Sequence, residues 1–417
     1  MKKITIVLVA IVLAQSCTLT RAFMYYSPDI TDHKIFPYIE LTPEKSTFRF
    51  HNGNEEILKN HTIPVYPKGT SDTIIMSLDS YLEQKTSTTA FLVIRNDSVL
   101  FEKYYRGYTR DSISAVFSVS KSVTSLLTGI AVDEGYIGSI HDPVTKYVPE
   151  LKKKDPKFER LTIEHLLSMR AGFKFNEDSY FPLSKATRIY YGTNMLKTIK
   201  RLRFTYESGE NHSYQSIVTA LLAVVVERAT GKNLAEYLQE KVWAPLGMEN
   251  RATWSIDDKR HRTTKGFCGL NTTAIDLAKI GRLYLNKGIW EGKQIVSADW
   301  VAKSATPDIA NNGYQYQWWS YKVCLANNED GTRYFADSAS VLNRITKNPD
   351  NKYYTIWQDK SNGLWTNILY KDAFYALGIM NQVVYINPQK NIIVVRLGQL
   401  SDFGNYPHFI YKLADSL

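Results

Sequence analysis

The sequence predicts an α/β protein in which an antiparallel sheet flanked by helices is interrupted by a mostly helical insertion. Two observations lead to this fold class. Hairpin patterns occur near residue 96 and again near residue 390, whereas residues 141–274 carry mainly helical patterns. Strands on both sides of a helical stretch favour one α/β domain split by an insertion. With 417 residues, 44% of them apolar and 22% charged, the chain can bury a large core.

The first seventeen residues have the pattern of an export signal. A charged start, Met1–Lys3, precedes an apolar run over residues 4–14. That run is too short to span a bilayer, which needs about 20 residues. It ends at Cys17 and is similar to a bacterial lipoprotein signal, although Ala14 stands where that signal prefers Leu. We expect a signal peptide over 1–17 with Cys17 lipidated; simple secretion and an uncleaved anchor are the alternatives.

The next segments lead into the predicted α/β domain, residues 71–140 and 275–417. Residues 18–70 have weak periodicity and repeated prolines, and indicate an extended lead-in that packs on the main body. Ser71 and Asp72 predict the cap of a helix that continues to about Lys85. Strands are predicted over Ala90–Arg95 and Val99–Tyr105, joined by the turn at residues 96–98.

A buried helix is predicted to begin at the stretch Phe117–Ser122. Its apolar residues recur with helical spacing as far as Ala131. Ser118 and Lys121 are three residues apart, so both side chains leave one face at a helix N-terminus, where free N–H groups favour negative charge. This pattern suits a serine nucleophile with a lysine base. A helix start with a solvated lysine is the alternative.

Residues 141–274 form the predicted helical domain. Helices are expected over Leu161–Met169, Ser216–Thr230 and Asn233–Val242, the second ending at Gly231. Another helix follows over Thr273–Asn286. Strands over 382–387 and 392–397 form the second hairpin, and a terminal helix begins near residue 409.

Several short motifs follow one another in the order of a known family. They are Phe117–Ser122, His165–Met169, Gly231–Tyr237, Pro245–Met248, Tyr316–Trp319 and Gly378–Gln382. Together they resemble the serine β-lactamase-related superfamily, which includes class C β-lactamases, D-alanyl-D-alanine carboxypeptidases and family VIII esterases. The 6-aminohexanoate-dimer hydrolase branch is most similar in pattern. The resemblance implies a β-lactamase/transpeptidase-like fold.

The resemblance also implies a catalytic centre. Ser118 would be the acyl-forming nucleophile, Lys121 its base partner and Tyr214 the proton relay. The backbone N–H groups of Ser118 and Ile379 would form the oxyanion hole. The chemistry requires an uncharged amine, so we expect Lys121 in a dry pocket, because burial disfavours the charged form.

Two of the family's motifs are altered in this sequence. Ser216 replaces the asparagine of the Tyr-x-Asn motif, and Ala376-Leu377-Gly378 replaces Lys-Thr-Gly. The missing cation and hydroxyl argue against efficient β-lactamase or D,D-peptidase activity. The expected substrate-binding residues are Ser216, Gly378, Tyr180 and Trp319; for the two aromatic residues, core packing is the alternative.

We therefore expect a serine hydrolase that acts through an acyl-enzyme on an ester or amide, without a cofactor. Its substrate would be a small or short peptide-like molecule, and its location the bacterial cell envelope, in the periplasm or at the outer membrane. A penicillin-recognising D,D-peptidase or β-lactamase is one alternative, and a non-catalytic envelope binding protein of the same fold is another. No G-x-S-x-G elbow of an α/β-hydrolase occurs in the sequence.

Charge and cysteine content exclude other classes of partner. The net charge of +10 arises from 51 basic and 41 acidic residues, and the basic residues are scattered apart from Lys152–Lys154, so no nucleic-acid surface is expected. Membrane contact is expected only through the lipid anchor, and the oligomeric state stays open. Cys17, Cys268 and Cys324 lack metal-ligand spacing, and no H-E-x-x-H is present, so no metal site is expected. A Cys268–Cys324 disulfide and two free thiols both stay open.

Overall fold

A mostly antiparallel nine-stranded sheet forms the centre of the structure. The computed structural model describes residues 18–25, 27–44, 48–59, 61–65, 74–177, 184–323, 334–349, 351–399 and 406–417. In these residues the strands are β1 (Tyr38–Leu41), β2 (His51–Asn52), β3 (Thr62–Val65), β4 (Ile74–Ser77), β5 (Thr88–Arg95), β6 (Ser98–Tyr104), β7 (Ser114–Ala115), β8 (Ala252–Ser255), β9 (Leu270–Thr272), β10 (Ile289–Trp290), β11 (Lys293–Gln294), β12 (Tyr314–Gln315), β13 (Trp318–Val323), β14 (Tyr353–Gln358), β15 (Trp365–Gly378), β16 (Gln382–Asn387) and β17 (Ile392–Gly398). The central sheet has the order β12-β13-β15-β16-β17-β5-β6-β2, and β14 pairs with β15.

The α-helices lie on both faces of this sheet and in the stretch between β7 and β12. They are α1 (Thr18–Tyr25), α2 (Glu56–Lys59), α3 (Leu78–Lys85), α4 (Val119–Asp133), α5 (Ile163–Leu167), α6 (Lys185–Tyr190), α7 (Met195–Ile199), α8 (Ser216–Thr230), α9 (Leu234–Leu238), α10 (Ala274–Leu285), α11 (Ala298–Ala305), α12 (Ser338–Thr346) and α13 (Tyr406–Asp415). The mixed architecture with an antiparallel sheet confirms the predicted fold class.

Both faces of the central sheet are buried. In β17, Ile393 and Val395 join a core cluster that includes α4, α8 and α10, whereas Ile392 and Val394 join a second cluster with α3 and α13. Because successive side chains of a strand point to opposite faces, a strand buried on both sides reads as a continuous apolar run. This explains why β5 and β17 were recognisable from the sequence.

Both predicted hairpins are present. Strand β5 pairs with β6 around Asn96 and Asp97, which have φ of 51° and 59°, and β16 pairs with β17. Asn and Asp tolerate this left-handed conformation better than other residues with a side chain.

Several expectations need correction. The helix predicted over 71–85 begins only at Leu78, capped by the Ser77 side chain, because residues 74–77 form β4 with Ile74 and Ile75 exposed; Ser71 and Asp72 lie outside the described residues. Strands β12–β15 of the central sheet were not predicted from the sequence. The lead-in, residues 18–70, is not extended throughout, because it contains α1. Its strand β1 pairs with β8, a strand within the mainly helical stretch 141–274.

The helical layer is centred on α4 and α8, which pack against each other. Helix α8 has the predicted bounds and ends at Gly231, whose φ of 69° is the left-handed conformation that glycine permits. Residues of the predicted helical insertion and of the predicted α/β domain share one buried cluster. The proposed division into domains stays a prediction.

Candidate active site

Ser118 lies in a tight turn directly before α4. Phe117, fully buried, has a φ of 47°, which is rare for a bulky residue and requires support from its surroundings. The Val116 N–H donates to the Leu270 carbonyl at 3.1 Å, which fixes the approach to the turn. Ser118 occupies the N-cap position of α4, but its side chain does not cap the helix. Its hydroxyl is therefore available for other contacts.

Lys121, one helical turn further on, is only 1% exposed and turns its amine toward Ser118. Its Nζ donates to Ser118 Oγ at 2.8 Å, to the Phe267 carbonyl at 2.9 Å and to Ser216 Oγ at 3.1 Å. The serine hydroxyl, the buried amine and a second serine hydroxyl thus form one hydrogen-bonded chain. A proton can pass along such a chain over short distances.

The structure places Tyr214 and Ser216 on the same side of Lys121. The Lys121 Nζ lies 5.0 Å from the centroid of the Tyr214 ring, which stacks on Trp319 at 5.7 Å. Among the described residues, the Tyr214 hydroxyl makes no hydrogen bond to Ser118 or Lys121. The oxygen that contacts the amine from this segment belongs to Ser216.

Glu177 is a member of the site that the sequence analysis did not single out. Its Oε1 accepts a hydrogen bond of 2.5 Å from the Ser216 N–H, at the start of α8. Burial raises the pKa of the Glu177 carboxyl above its usual value, and the charge of Lys121 and bonds to Ser216 and Ile217 oppose that rise. The contact spans 39 residues, so no local pattern could have revealed it.

Gly378 and Ile379, at the end of β15, lie close to Ser118 and the residues before it. A side chain on Gly378 would collide with the Val116 carbonyl oxygen and lie 3.3 Å from Phe117 Cβ, so only glycine permits this close approach. The following residue, Ile379, lines the cleft beside Ser118. It begins a short helical turn, and its N–H has no partner inside that turn. Ser118 and Ile379 thus line one cleft.

The cleft beside Ser118 is lined by both polar and apolar side chains. Its free space, including the open mouth, is about 320 Å³. Its walls are formed by Phe117, Ser118, Glu177, Ala186, Ile189, Tyr190, Ser216, Phe267, Cys268 and Ile379. Cys268 is a buried free thiol; burial raises its pKa to about 12, so it is a poor nucleophile.

Trp319, predicted from the sequence to bind substrate, is not among the residues that line this cleft. Trp319 packs edge-on against Tyr314 with ring centroids 4.5 Å apart and stacks on Tyr214. Tyr180, Cys17 and Cys324 lie outside the described residues. In the part of the chain that the structure describes, no cluster of three or more potential metal-ligand side chains occurs, and none of the helices is both long and apolar enough to cross a bilayer.

The chain is similar in sequence to a family model and to several known proteins. The β-lactamase family model matches residues 72–407. The 6-aminohexanoate-dimer hydrolase of Paenarthrobacter ureafaciens is 32% identical over 280 residues, which are 61% of this chain and 70% of that enzyme. A teichoic acid D-alanine hydrolase of Staphylococcus aureus is 23% identical over 272 residues, 62% of this chain and 64% of that protein.

A solved structure has the same fold. The putative 6-aminohexanoate-dimer hydrolase from Bacillus anthracis superposes with a TM-score of 0.70 at 21% identity, covering 96% of this chain and 95% of that one. The fold, the matched residues 72–407 and the order of the sequence motifs agree with one another. The chain belongs to the β-lactamase family, as its motifs predicted.

Proposed function

We propose that this protein is a serine hydrolase that cleaves an ester or amide through an acyl-enzyme on Ser118. The observation that supports it most is the buried amine of Lys121, 2.8 Å from Ser118 Oγ at the edge of the cleft. Burial alone does not distinguish Lys121, because Lys265 and Lys279 are buried as well and donate to backbone carbonyls. The distinguishing contact is the one to the hydroxyl of Ser118, which lines the cleft. An amine held in a dry site beside a hydroxyl is suited to accept the hydroxyl's proton.

The reaction follows from these positions. The Lys121 amine takes the proton of Ser118 Oγ while that oxygen attacks the substrate carbonyl. The N–H groups of Ser118 and Ile379 stabilise the negative charge that develops on the carbonyl oxygen, a contribution of about 3–4 kcal/mol for each donor in other hydrolases. The proton then reaches the leaving group from Lys121 through Ser216, and water hydrolyses the acyl-enzyme by the same steps. Tyr214, the relay predicted from the sequence, is the competing candidate for this proton transfer.

The substrate class is drawn from the cleft and from the relatives. The cleft is small, and its wall combines apolar side chains with an acidic group, Glu177, and the hydroxyls of Ser118 and Ser216. One relative is named for 6-aminohexanoate dimers and another for D-alanine on teichoic acid. We accordingly propose a small ester or amide as substrate rather than a folded protein. A penicillin is a poorer candidate, because Ala376 and Leu377 supply no cation for its carboxylate.

Activity-based labelling tests the proposal. The purified protein is treated with a fluorophosphonate and assayed on p-nitrophenyl esters, 6-aminohexanoate dimers and a fluorescent penicillin. We expect Ser118-dependent labelling and ester hydrolysis, with a loss of about 10³-fold or more in Ser118→Ala. Wild-type and Ser118→Ala proteins that are equally inactive would instead support the non-catalytic binding protein, and stable penicillin labelling would support the D,D-peptidase.

We also propose that the protein is exported to the cell envelope as a lipoprotein. Support comes from the residue pattern of Met1–Cys17 alone. Labelling of cells with an alkyne fatty acid should mark the wild-type protein and not Cys17→Ala. A labelled Cys17→Ala protein, or an unlabelled wild type, would contradict lipidation.

A further inference from the structure

The turn that carries Ile379 has an unusual backbone. Residues 379–381 connect β15 to β16, and Met380 and Asn381 have φ of 61° and 59°. Two successive non-glycine residues in the left-handed region are disfavoured and persist only where the surrounding structure holds them. The turn therefore needs an anchor.

Arg396 provides such an anchor from the adjacent strand β17. Its side chain is 0% exposed, and its Nη1 donates to the carbonyl of Met380 and, at 3.0 Å, to that of Asn381. The rest of the guanidinium donates to Thr88 Oγ1 at 3.2 Å and to the Gln399 carbonyl at 3.3 Å, and lies 4.2 Å from the centroid of the Tyr406 ring.

No carboxylate pairs with Arg396 among the described residues. A buried charge is tolerated only when its hydrogen-bonding groups are satisfied, and here neutral oxygens satisfy them. The two carbonyls that receive Nη1 belong to the residues with left-handed φ. The buried cation and the strained turn thus stabilise each other.

Gln382 secures the same turn from its other end. Its amide Nε2 donates to the Gly398 carbonyl at 2.6 Å and to the Ile379 carbonyl at 3.4 Å, and its Oε1 accepts from the Gly398 N–H at 3.0 Å. With Gly378 packed on Val116, the turn is restrained at its beginning, its middle and its end.

We propose that Arg396 is a positioning residue for the oxyanion hole: by holding the carbonyls of Met380 and Asn381, it keeps the Ile379 N–H directed into the cleft beside Ser118. Its catalytic consequence rests on the proposed hydrolase activity. The loop geometry does not, so the two can be tested separately.

The test compares Arg396→Met with Arg396→Lys and with Leu413→Ala as a matched control. Leu413 is buried on α13 in the core cluster on the same side of the sheet, whereas the turn residues Ile379 and Met380 pack against the other cluster. For each full-length protein, kcat and KM for a p-nitrophenyl ester, the unfolding temperature, and hydrogen exchange of a peptide containing residues 379–381 are measured.

Arg396→Met is expected to lower kcat by about 10–100-fold, which is no more than the decrease in kcat caused by removing one oxyanion-hole donor. KM should change by less than about threefold. Exchange at 379–381 should accelerate. Arg396→Lys, which keeps the charge but not the fork of donors, should recover part of kcat. Leu413→Ala should be less stable and retain kcat within about twofold.

The possible outcomes separate the two proposals. A folded Arg396→Met protein with wild-type kcat and wild-type exchange overturns the positioning role. If the wild type itself has no Ser118-dependent activity, the proposed function fails, and the exchange at 379–381 alone decides the role of Arg396. If Arg396→Met does not fold, Arg396→Lys decides: lowered kcat with faster exchange supports the role, and wild-type values of both overturn it.

Discussion

Replacing Ser216 by alanine removes the oxygen that lies 3.1 Å from the Lys121 amine, while the backbone N–H keeps its bond to Glu177. A hydrogen bond to a charged group contributes about 1.5–3 kcal/mol, which corresponds to roughly 10–150-fold in rate. Proton transfer by a positioned group contributes about 10²–10⁴-fold. We therefore expect Ser216→Ala to lower kcat/KM for ester hydrolysis by about 10²-fold.

The matched variant is Tyr214→Phe. It keeps an aromatic ring beside the amine and removes a hydroxyl that makes no hydrogen bond to Ser118 or Lys121 in the described structure. Because the ring face supplies the attraction to a cation, we expect a loss of less than about threefold. Thr219→Val, one turn further along α8, removes a hydroxyl that contacts Gln317 rather than the amine and controls for changes in stability.

Leaving-group dependence makes this comparison specific to proton transfer. An alkyl ester needs its leaving oxygen protonated, whereas p-nitrophenolate leaves without a proton. The loss in Ser216→Ala should therefore be several-fold larger for the alkyl ester. If Tyr214→Phe loses more activity than Ser216→Ala, or if the Ser216→Ala loss is equal for both esters, the assignment of the relay to Ser216 is refuted.

Three further predictions concern the surroundings of the site. Gly378→Ala forces a side chain against the Val116 carbonyl, so it should lower the free energy of unfolding by about 1–3 kcal/mol and also lower the rate of ester hydrolysis. An unchanged urea titration together with an unchanged ester assay would contradict the close approach. Glu177→Gln keeps an acceptor for the Ser216 N–H but removes a carboxyl whose pKa burial raises, so the acidic limb of the pH–rate profile should weaken or move to lower pH; an unchanged acidic limb would show that ionisation of Glu177 does not affect the reaction. Burial lowers the pKa of Lys265 from 10.5 to about 8, so the unfolded chain binds more protons than the folded one between these pH values. The free energy of unfolding of the wild type should therefore rise by up to about 3 kcal/mol from pH 8 to 10.5 relative to Lys265→Met. Urea titrations of both proteins at pH 7.5 and 10.5 measure this difference, and parallel pH dependences would contradict it.

Much of the structure around Ser118 could be predicted from the sequence, because the sequence patterns that specify it are local. The spacing of Ser118 and Lys121 predicts a shared helix face, and α8 could be delimited because an apolar run ends at Gly231. Among the strands missed between residues 314 and 378, β13 pairs with a distant partner, Trp319 lying opposite Tyr375 of β15, whereas β12–β13 and β14–β15 are local pairs. Strand β15 also contains Asn367, Lys371 and Asp372, which interrupt the apolar alternation, so it did not read as a strand.

The contacts of the Lys121 amine could not be predicted from the sequence for a different reason. Gln215 has extended backbone, with φ of −141° and ψ of 119°, so Tyr214 and Ser216 lie on one side of the chain. Spacing alone predicts that both approach Lys121 and cannot tell which oxygen reaches it. The sequence could have indicated the role of Arg396. A charged residue inside the buried run of β17 is costly unless hydrogen-bond partners satisfy it.

The electrostatics of the two helix starts explain why the cleft favours negative charge at one place only. Helices α4 and α8 both begin at the site, and each N-terminus attracts an anion. At α8 the Glu177 carboxylate already occupies that position, through the Ser216 N–H. At α4 the N–H groups of Val119, Ser120 and Lys121 donate to backbone carbonyls, and the Ser118 side chain does not cap the helix, so no acidic side chain caps this start among the described residues. A negative charge that develops on a carbonyl bound to Ser118 Oγ therefore meets a helix start without an acidic cap, whereas the same charge near α8 would be repelled by Glu177. Under the proposed mechanism, this asymmetry favours a substrate carbonyl whose oxygen faces the start of α4.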